Sequence, residues 1–373
     1  MPAAETGFRL FTPLHLLLLA VPAAAALKFA GASGVWVFAA AGLGIVPLAG
    51  YMGRATEALA ARLGPAAGGL LNATFGNAAE LIIALIVLSE GPRFYPLVKA
   101  TITGSIIGNL LLVLGLSVLA GGLRHKTLRF SRTAAGAGAT LLAIAAAGLI
   151  LPTLFFYLLR TGARPDAAGV QTVENLSEEI AVVLVVVYLL SLVFTLHTHR
   201  DLGGHLESDE ADAGRWGVSL ALAVLLAATA GVAVLSEWLV GSFEPAARAL
   251  GMNDVFVGVI VVAIVGNAAE HSTAVAVAWR NRMDLAVQIA VGSSTQVALF
   301  VAPVLVFASL LMGHGHPLDL HFTPLEVAAV ILSVAVISLV CHDGESNWLE
   351  GAMLVALYVI LGLAFYHLPA GGH

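Results

Sequence analysis

The sequence is poor in charged residues and has a single cysteine. Only 11% of its 373 residues are charged, whereas soluble domains carry about a quarter. This composition excludes a water-soluble globular domain. The lone cysteine, Cys341, excludes an intrachain disulfide framework. The net charge is −6 and no run of basic residues occurs, so nucleic acid is not an expected partner.

Hydrophobic residues are abundant instead, at 59% of the chain with a mean hydropathy of +0.95. Their runs are long and unbroken, unlike the short alternating segments of a β-barrel. Each run approaches the roughly 20 residues that cross a bilayer as a helix. The sequence therefore predicts an all-α polytopic membrane protein surrounded by lipid. Eleven segments are predicted, near residues 12–30, 33–52, 68–90, 97–121, 133–158, 178–198, 215–240, 253–279, 285–312, 324–341 and 348–367.

The first apolar segment also has features of a signal peptide. Its leading region has only Arg9 against Glu5, however, and a series of similar segments follows. We interpret it as a retained transmembrane helix.

An internal repeat organises the rest of the chain. The pentapeptide Gly-Asn-Ala-Ala-Glu occurs at residues 76–80 and again at 266–270, each time in the middle of a predicted helix. A small polar patch follows one segment later in both halves, at 104–109 and 292–296. We expect two repeats of five helices, and five is odd, so their orientations are opposite. This is the inverted-repeat plan of transporters, with a site near the bilayer midplane.

The predicted organisation has four parts. Residues 1–31 form a separate N-terminal helix, and residues 32–200 form the first repeat (helices 2–6). Residues 201–214 form an acidic linker, expected to be solvated and cytoplasmic. Residues 215–373 form the second repeat (helices 7–11).

Glu80 and Glu270 end the two pentapeptides, deep within their segments. A carboxylate at bilayer depth costs several kcal/mol and marks a functional site. No Lys or Arg lies in the core of a predicted segment, so we expect no permanent ion pair. Burial and mutual repulsion both favour protonation. One divalent cation or two protons would each neutralise the pair, which therefore binds either in alternation.

Neutral oxygens surround these acids in the pattern. Asn77 and Asn267 lie three residues before Glu80 and Glu270, hence on the same helical face. The following segments add the amides of Asn109 and Gln296, with the hydroxyls of Ser105 and Ser294 as further candidates. Such a loose, all-oxygen set suits Ca²⁺ better than thiophilic metals or Mg²⁺. Ca²⁺ and H⁺ are the expected substrates, and no cofactor is expected.

Three further residues are candidates for a gate or a proton path: Glu57, Glu237 and His271. Glu57 and Glu237 lie near helix ends, where a solvated acid is an equal alternative. His271 follows Glu270 on another helical face, which favours a packing role. His314, His316 and His321 occupy a segment that we expect to be a solvated loop.

At these residues the sequence resembles the calcium/cation:proton antiporter family, the CAX branch of the cation/calcium exchanger superfamily. The resemblance rests on residues 72–80, 104–109, 266–271, 292–296 and 343–350. It implies an eleven-helix fold, alternating access, and calcium ligation by Glu80, Asn109, Glu270 and Gln296. Sodium-coupled relatives carry hydroxyl residues and a proline where this chain has Asn-Ala-Ala.

Other functions remain open on the sequence alone. Exchange of another cation, such as sodium or manganese, for protons is the nearest alternative. An intramembrane hydrolase would need H-E-x-x-H or G-x-S-x-G, and neither occurs. A passive channel would not require titratable acids in both repeats. The oligomeric state is open, with a homo-oligomer as one option.

Lys and Arg predict the orientation in a cell (inner) membrane. Eleven of the 17 lie on the side of the N-terminus, at residues 9, 54, 62, 124, 126, 129, 132, 200, 215, 280 and 282. The other six lie at residues 28, 93, 99, 160, 164 and 248. We expect the N-terminus in the cytoplasm and the C-terminus outside.

A cysteine introduced by Ser208→Cys, with Cys341→Ser removing the native thiol, tests this orientation. Because residue 208 lies in the predicted cytoplasmic linker, an impermeant thiol reagent should label it only from the cytoplasmic side. Labelling from outside in intact cells would overturn the topology and the assignment of a retained first helix.

Overall fold

The computed structural model describes residues 13–160, 166–198 and 216–368. A short helix, Pro13–Leu16, precedes the main helices. These are α1 Leu17–Phe29, α2 Gly34–Phe75, α3 Ala78–Ser89, α4 Pro92–Arg124, α5 Arg132–Leu159, α6 Ala167–Thr198, α7 Val218–Gly241, α8 Phe243–Leu250, α9 Asp254–Trp279, α10 Met283–Met312, α11 Pro324–Val340 and α12 Trp348–Tyr366. Strands β1 Leu128–Arg129 and β2 Glu345–Ser346 pair antiparallel and join two loops.

The predicted all-α membrane architecture is confirmed. Among the described residues, eight helices are long and apolar enough to cross a bilayer, and three shorter apolar helices, α1, α3 and α11, accompany them. These helices overlap the eleven predicted segments, but α2 continues to Phe75 and α3 begins only at Ala78. Eleven actual crossings stay a prediction, and the acidic linker lies outside the described residues.

Helix α2 is too long for a single crossing. Its 42 residues would extend about 63 Å if straight, twice the roughly 30 Å hydrocarbon core. It bends sharply instead: a Cβ on Gly68 would lie 2.3 Å from the carbonyl oxygen of Ala60. Eight residues of straight helix would separate these two by about 12 Å. The chain therefore folds back before it reaches the first pentapeptide.

The two pentapeptides adopt different backbones. The helix is interrupted at Gly76–Asn77, between Phe75 at the end of α2 and Ala78 at the start of α3. The prediction of one continuous helix over residues 68–90 is therefore wrong here. The second copy lies inside α9, as predicted. Glycine weakens both helices equally, so the packing around each copy decides which one breaks.

Helix α4 occupies the centre of the structure. In an apolar stretch of 18 residues within α4, 72% is buried inside the protein, whereas the corresponding share for the peripheral helix α6 is 17%. Glycines allow the backbones of α4 and α9 to touch: a Cβ on Gly104 would lie 2.3 Å from the Val259 carbonyl oxygen, and one on Gly258 would lie 2.6 Å from Ala100 Cβ. Small residues at such contacts are typical of helix packing in membranes.

Four of the described helices contain π-helical segments, at Gly108–Val113 in α4, Phe194–Thr198 in α6, Val257–Val262 in α9 and Val297–Val301 in α10. Such segments insert an extra residue into a turn and often accompany functional sites. The segment in α4 begins within the first polar patch, and the segment in α10 directly follows the second. The helix geometry is thus irregular next to the repeated polar residues.

Residues 313–323, between α10 and α11, form the predicted solvated loop only in their first part, where Gly313, Gly315 and His316 are exposed. Leu318, Leu320 and Phe322 are 1%, 0% and 2% exposed. Their alternation along an extended backbone buries every second side chain. Residues 313–323 are hereafter called the strap, and its second half is part of the core.

Candidate cation site

Glu80 lies in the first turn of α3, directly after the interruption at Gly76–Asn77. The positive end of a helix dipole favours a carboxylate at this position. The side chain packs against Gly266 of the second pentapeptide, where a Cβ would lie 3.4 Å from Glu80 Cγ. The glycine of one copy thus makes room for the acid of the other.

A cavity beside Glu80 lies between α3, α4, α9 and α10. Three lining residues have polar side chains, namely Glu80, Thr101 and Ser105. The apolar part of the lining comprises Ile83, Ala84, Ile102, Val262, Ala263, Gly266, Val297 and Val301. The acid therefore faces a confined space with few polar groups.

Glu270 lies on α9, and its charge acts on that of Glu80. Its Oε2 atom is buried and has no hydrogen-bond partner within the described residues. Neither glutamate forms an ion pair with a described Lys, Arg or His. Lys99, which the sequence places at the outer end of its segment, lies within α4 and pairs with Asp319. The two acids are thus neighbours without a fixed countercharge.

A chain of six amide and hydroxyl side chains joins the helices around the acids. Asn77 Nδ2 donates to Gln296 Oε1 (2.6 Å), and Asn77 Oδ1 accepts from Ser293 Oγ (2.7 Å). Asn109 Nδ2 then donates to both Ser293 Oγ and Asn267 Oδ1, each at 3.0 Å. These bonds connect α3 and α4 to α9 and α10.

The last link of this hydrogen-bond network is made by Asn267, whose Nδ2 donates to Ser105 Oγ (3.0 Å) and to the Ala263 carbonyl (2.9 Å). An asparagine of α9 thus contacts a serine of α4, as Asn77 before α3 contacts Ser293 of α10. The pentapeptide asparagines and the patch serines occupy matching places in the two halves. This pairing is what two related, facing repeats would produce.

Ser293, rather than the predicted Ser294, takes part in this network. Ser294 Oγ donates to backbone carbonyls only, those of Ala290 (2.9 Å) and Ile106 (3.3 Å). Aligning the first glycines of the two patches, at 104 and 292, places Ser105 opposite Ser293. That register identifies the bridging serine from the sequence.

Asn109 presents an unpaired acceptor at the site. It is completely buried, and its Nδ2 group uses both hydrogens, on Asn267 and Ser293. The Oδ1 atom is left without a hydrogen-bond partner in the described part of the chain. Asn109 Oδ1 and Glu270 Oε2 are therefore two buried oxygens that a cation would satisfy.

The remaining candidates lie outside the network. His271 is partly buried next to Glu270, and its Nε2 has no partner among the described residues. Glu57 on α2 and Glu237 on α7 are both exposed. Their roles in a gate or proton path stay predictions.

The donor set fits a hard cation. Within the described ranges, no cluster of three or more His, Cys, Asp or Glu side chains is positioned to hold a metal. The site instead combines two carboxylates with neutral amide and hydroxyl oxygens. Oxygen ligands of this kind suit Ca²⁺.

A membrane exchanger is the class of protein that this fold and site define. The model of the family "Sodium/calcium exchanger protein" matches residues 33–197 and 220–366. The chain belongs to this family.

Particular relatives are similar over nearly the full chain. A Ca(2+)/H(+) antiporter of Synechocystis sp. is 46% identical over 95% of this chain and 97% of its own. The Ca(2+)/H(+) antiporter ChaA of Bacillus subtilis is 44% identical over 86% and 89%. Among solved structures, native YfkE matches with a TM-score of 0.80 and 40% identity, covering 95% of this chain and 100% of YfkE.

Ser293→Ala should weaken calcium binding, because it leaves an Asn109 donor and an Asn77 acceptor unpaired. An unsatisfied buried group costs about 1–3 kcal/mol, so the Kd should rise roughly tenfold or more. The matched control is Ser294→Ala, which removes a neighbouring hydroxyl that bonds only to backbone. Equilibrium dialysis with ⁴⁵Ca²⁺ measures both. Equal Kd values for the two variants would contradict a bridging role for Ser293.

Proposed function

We propose that this chain exchanges Ca²⁺ for H⁺ across the membrane as a secondary antiporter working by alternating access. The carrying observation is the pair of neighbouring, partly buried acids, Glu80 and Glu270, that lack a countercharge within the described structure. The names of its relatives, which are Ca(2+)/H(+) antiporters, support the same pair of substrates.

Calcium would take its charged ligands from Glu80 and Glu270 and a neutral ligand from Asn109. The amide of Asn109 is oriented by its two hydrogen bonds, which hold Oδ1 ready to accept. The Gln296 side-chain oxygen already accepts a hydrogen bond from Asn77. The network side chains therefore support the site, or supply ligand oxygens once these hydrogen bonds rearrange; they are Gln296, Asn77, Asn267, Ser105 and Ser293. Flexible coordination by oxygens is compatible with Ca²⁺.

Proton coupling follows from the charge of the pair. In a low-dielectric site, two neighbouring ionised carboxylates repel each other and lose their hydration. Binding Ca²⁺ or two protons removes the net charge of −2. Only these neutral states could be occluded cheaply between the two sides, and this requirement links the two fluxes.

The matching places of Asn77 and Asn267, and of Ser105 and Ser293, support two inverted repeats, residues 32–200 and 215–373. In this arrangement residues 1–31 form a separate helix. The protein would reside in the cell (inner) membrane with its N-terminus cytoplasmic and its C-terminus outside, as the distribution of Lys and Arg predicts.

Proteoliposomes with an imposed proton gradient test the proposal. The purified chain should accumulate ⁴⁵Ca²⁺ against its concentration gradient, and a protonophore should abolish the accumulation. Calcium that enters only down its own gradient, regardless of the proton gradient, would indicate a channel and contradict antiport.

Glu80→Gln and Glu270→Gln should each abolish exchange while the protein still folds. The amide keeps the shape of the side chain but cannot carry the charge that alternates between calcium and protons. Glu179→Gln, at an exposed position of the peripheral helix α6, is the control for loss of one carboxylate. Transport is measured in the same vesicles, with chromatographic monodispersity as the test of folding. Near-normal exchange by either site variant would refute the two-carboxylate mechanism.

Calcium affinity should fall as pH decreases, since protons and calcium compete for the same pair. If only the doubly ionised site binds calcium, the Kd should rise about a hundredfold per pH unit well below both protonation steps. Binding in detergent between about pH 5 and 8 gives this slope. A slope near tenfold would mean that one glutamate titrates, and a flat profile would exclude the mechanism.

A further inference from the structure

The strap is fixed to several helices by side chains that bond its backbone. The N–H groups of Leu318, Leu320 and Phe322 donate to Ser309 Oγ of α10 (2.7 Å), Ser177 Oγ of α6 (3.0 Å) and Thr153 Oγ1 of α5 (2.8 Å). Buried non-helical backbone requires such partners. The strap is therefore a fixed element that ties α10 to α5 and α6.

One stripe of α4 binds the strap and the start of α11. Tyr95 OH donates to the His316 carbonyl (2.9 Å), and Thr103 Oγ1 donates to Glu326 Oε1 (3.0 Å). Between them, Lys99 Nζ pairs with the Asp319 carboxylate and donates to the His321 carbonyl (2.8 Å). Residues 95, 99 and 103 are spaced by four, so they share one helical face.

The opposite face of α4 lines the candidate cation site. Thr101 lies about 200° around the helix from Lys99, and Thr101 and Ser105 both line the cavity beside Glu80. Ser105 also accepts the hydrogen bond from Asn267. Helix α4 is thus held between the strap on one side and the cation site on the other.

The Lys99–Asp319 pair is the strongest contact of this stripe. Its side chains are only 13% and 25% exposed, and a buried pair is costly to break because one charge is left without a partner. Burial opposes ionisation of Asp319, but Lys99 and the His321 N–H outweigh it and lower the pKa of that carboxyl. The Asp319 carboxyl therefore stays ionised through the pH range of calcium binding.

From this arrangement we infer that Lys99 is a positioning residue for calcium binding: its pair with Asp319 sets the axial position of α4, which places Ser105 and Asn109 against Asn267. The inference rests on the proposed function. Lys99 does not contact the cation; it acts through the helix that carries site residues. Loss of the pair should therefore change calcium affinity while leaving the two titrating glutamates intact.

The test compares Lys99→Gln, Lys99→Arg and Arg93→Gln in the full-length protein. Arg93 pairs with Glu244 near the same end of α4, but its side chain is 72% exposed, and exposed pairs contribute little. The Kd for ⁴⁵Ca²⁺ and the maximal transport rate are measured for each. Wild-type exchange in the same vesicles checks the proposed function separately.

Lys99→Gln should raise the calcium Kd by about tenfold, as loss of an outer support typically does at metal sites. The maximal rate at saturating calcium and the pH slope of binding should stay close to wild type. Lys99→Arg should recover most of the affinity, and Arg93→Gln should match wild type. Adding Asp319→Asn to Lys99→Gln should cause no further loss, because the two residues act through one contact.

A folded Lys99→Gln protein with wild-type Kd would overturn the inference, as would a loss of maximal rate at unchanged Kd. If Lys99→Gln does not fold, the calcium Kd of Thr103→Val tests the inference instead. This substitution removes only one hydroxyl of the same stripe, the one that bonds Glu326. A raised Kd in Thr103→Val supports positioning by this face of α4, and an unchanged Kd overturns it. Absence of exchange by the wild type would refute the proposed function instead.

Discussion

Two carboxylates lie close together inside an apolar helical protein, and neither has a fixed positive partner among the described residues. The electrostatic cost of that arrangement governs the rest of the structure. Glu80 is stabilised in part by its place in the first turn of α3, and Glu270 keeps a buried oxygen unpaired. Neither feature neutralises two charges. The site therefore needs a mobile cation or protons, and this need couples two substrates without any further device.

The surrounding structure serves to bring these acids together and to orient neutral oxygens around them. Glycines permit the close approach of α4 to α9 and of Glu80 to Gly266. Both N–H groups of the Asn109 side chain donate within the network, so Asn109 presents an unpaired acceptor, and no unpaired donor, within the described residues. A cation rather than an anion is favoured by this polarity. The break at Gly76–Asn77 leaves the two halves unequal, as expected for a transporter described in a single conformation.

Residue patterns predicted which polar side chains lie together better than they predicted the backbone. The repeated pentapeptide and helical spacing pointed to Glu80, Glu270 and the asparagines, because acids and amides deep in an apolar helix are costly. The structure brings the amides into one network, and the roles of these residues in binding stay predictions. The interruption before Ala78 could not be predicted, since five identical residues form a continuous helix in α9. Tertiary packing distinguishes the two copies.

Two other features depended on contacts between distant segments. Ser293 was missed although the register of the two patches places it opposite Ser105. The contacts of α10 then separate its bridging hydroxyl from that of Ser294, which bonds only to backbone. The strap has the histidines and glycines typical of a polar loop, while its burial depends on Ser177 and Thr153, far away in the sequence. Lys99, which bonds the strap, lies near the end of an apolar segment in the sequence and was therefore predicted to be a charge at the membrane surface.

Counting the protons released when calcium binds tests the central claim most directly. The metal-free protein, in weakly buffered detergent at a pH where both glutamates are protonated, is titrated with Ca²⁺ while the released acid is measured. Exchange at a shared pair predicts two protons for each bound Ca²⁺ and none from the double variant Glu80→Gln, Glu270→Gln. Calcium binding to the wild type without proton release would contradict the account.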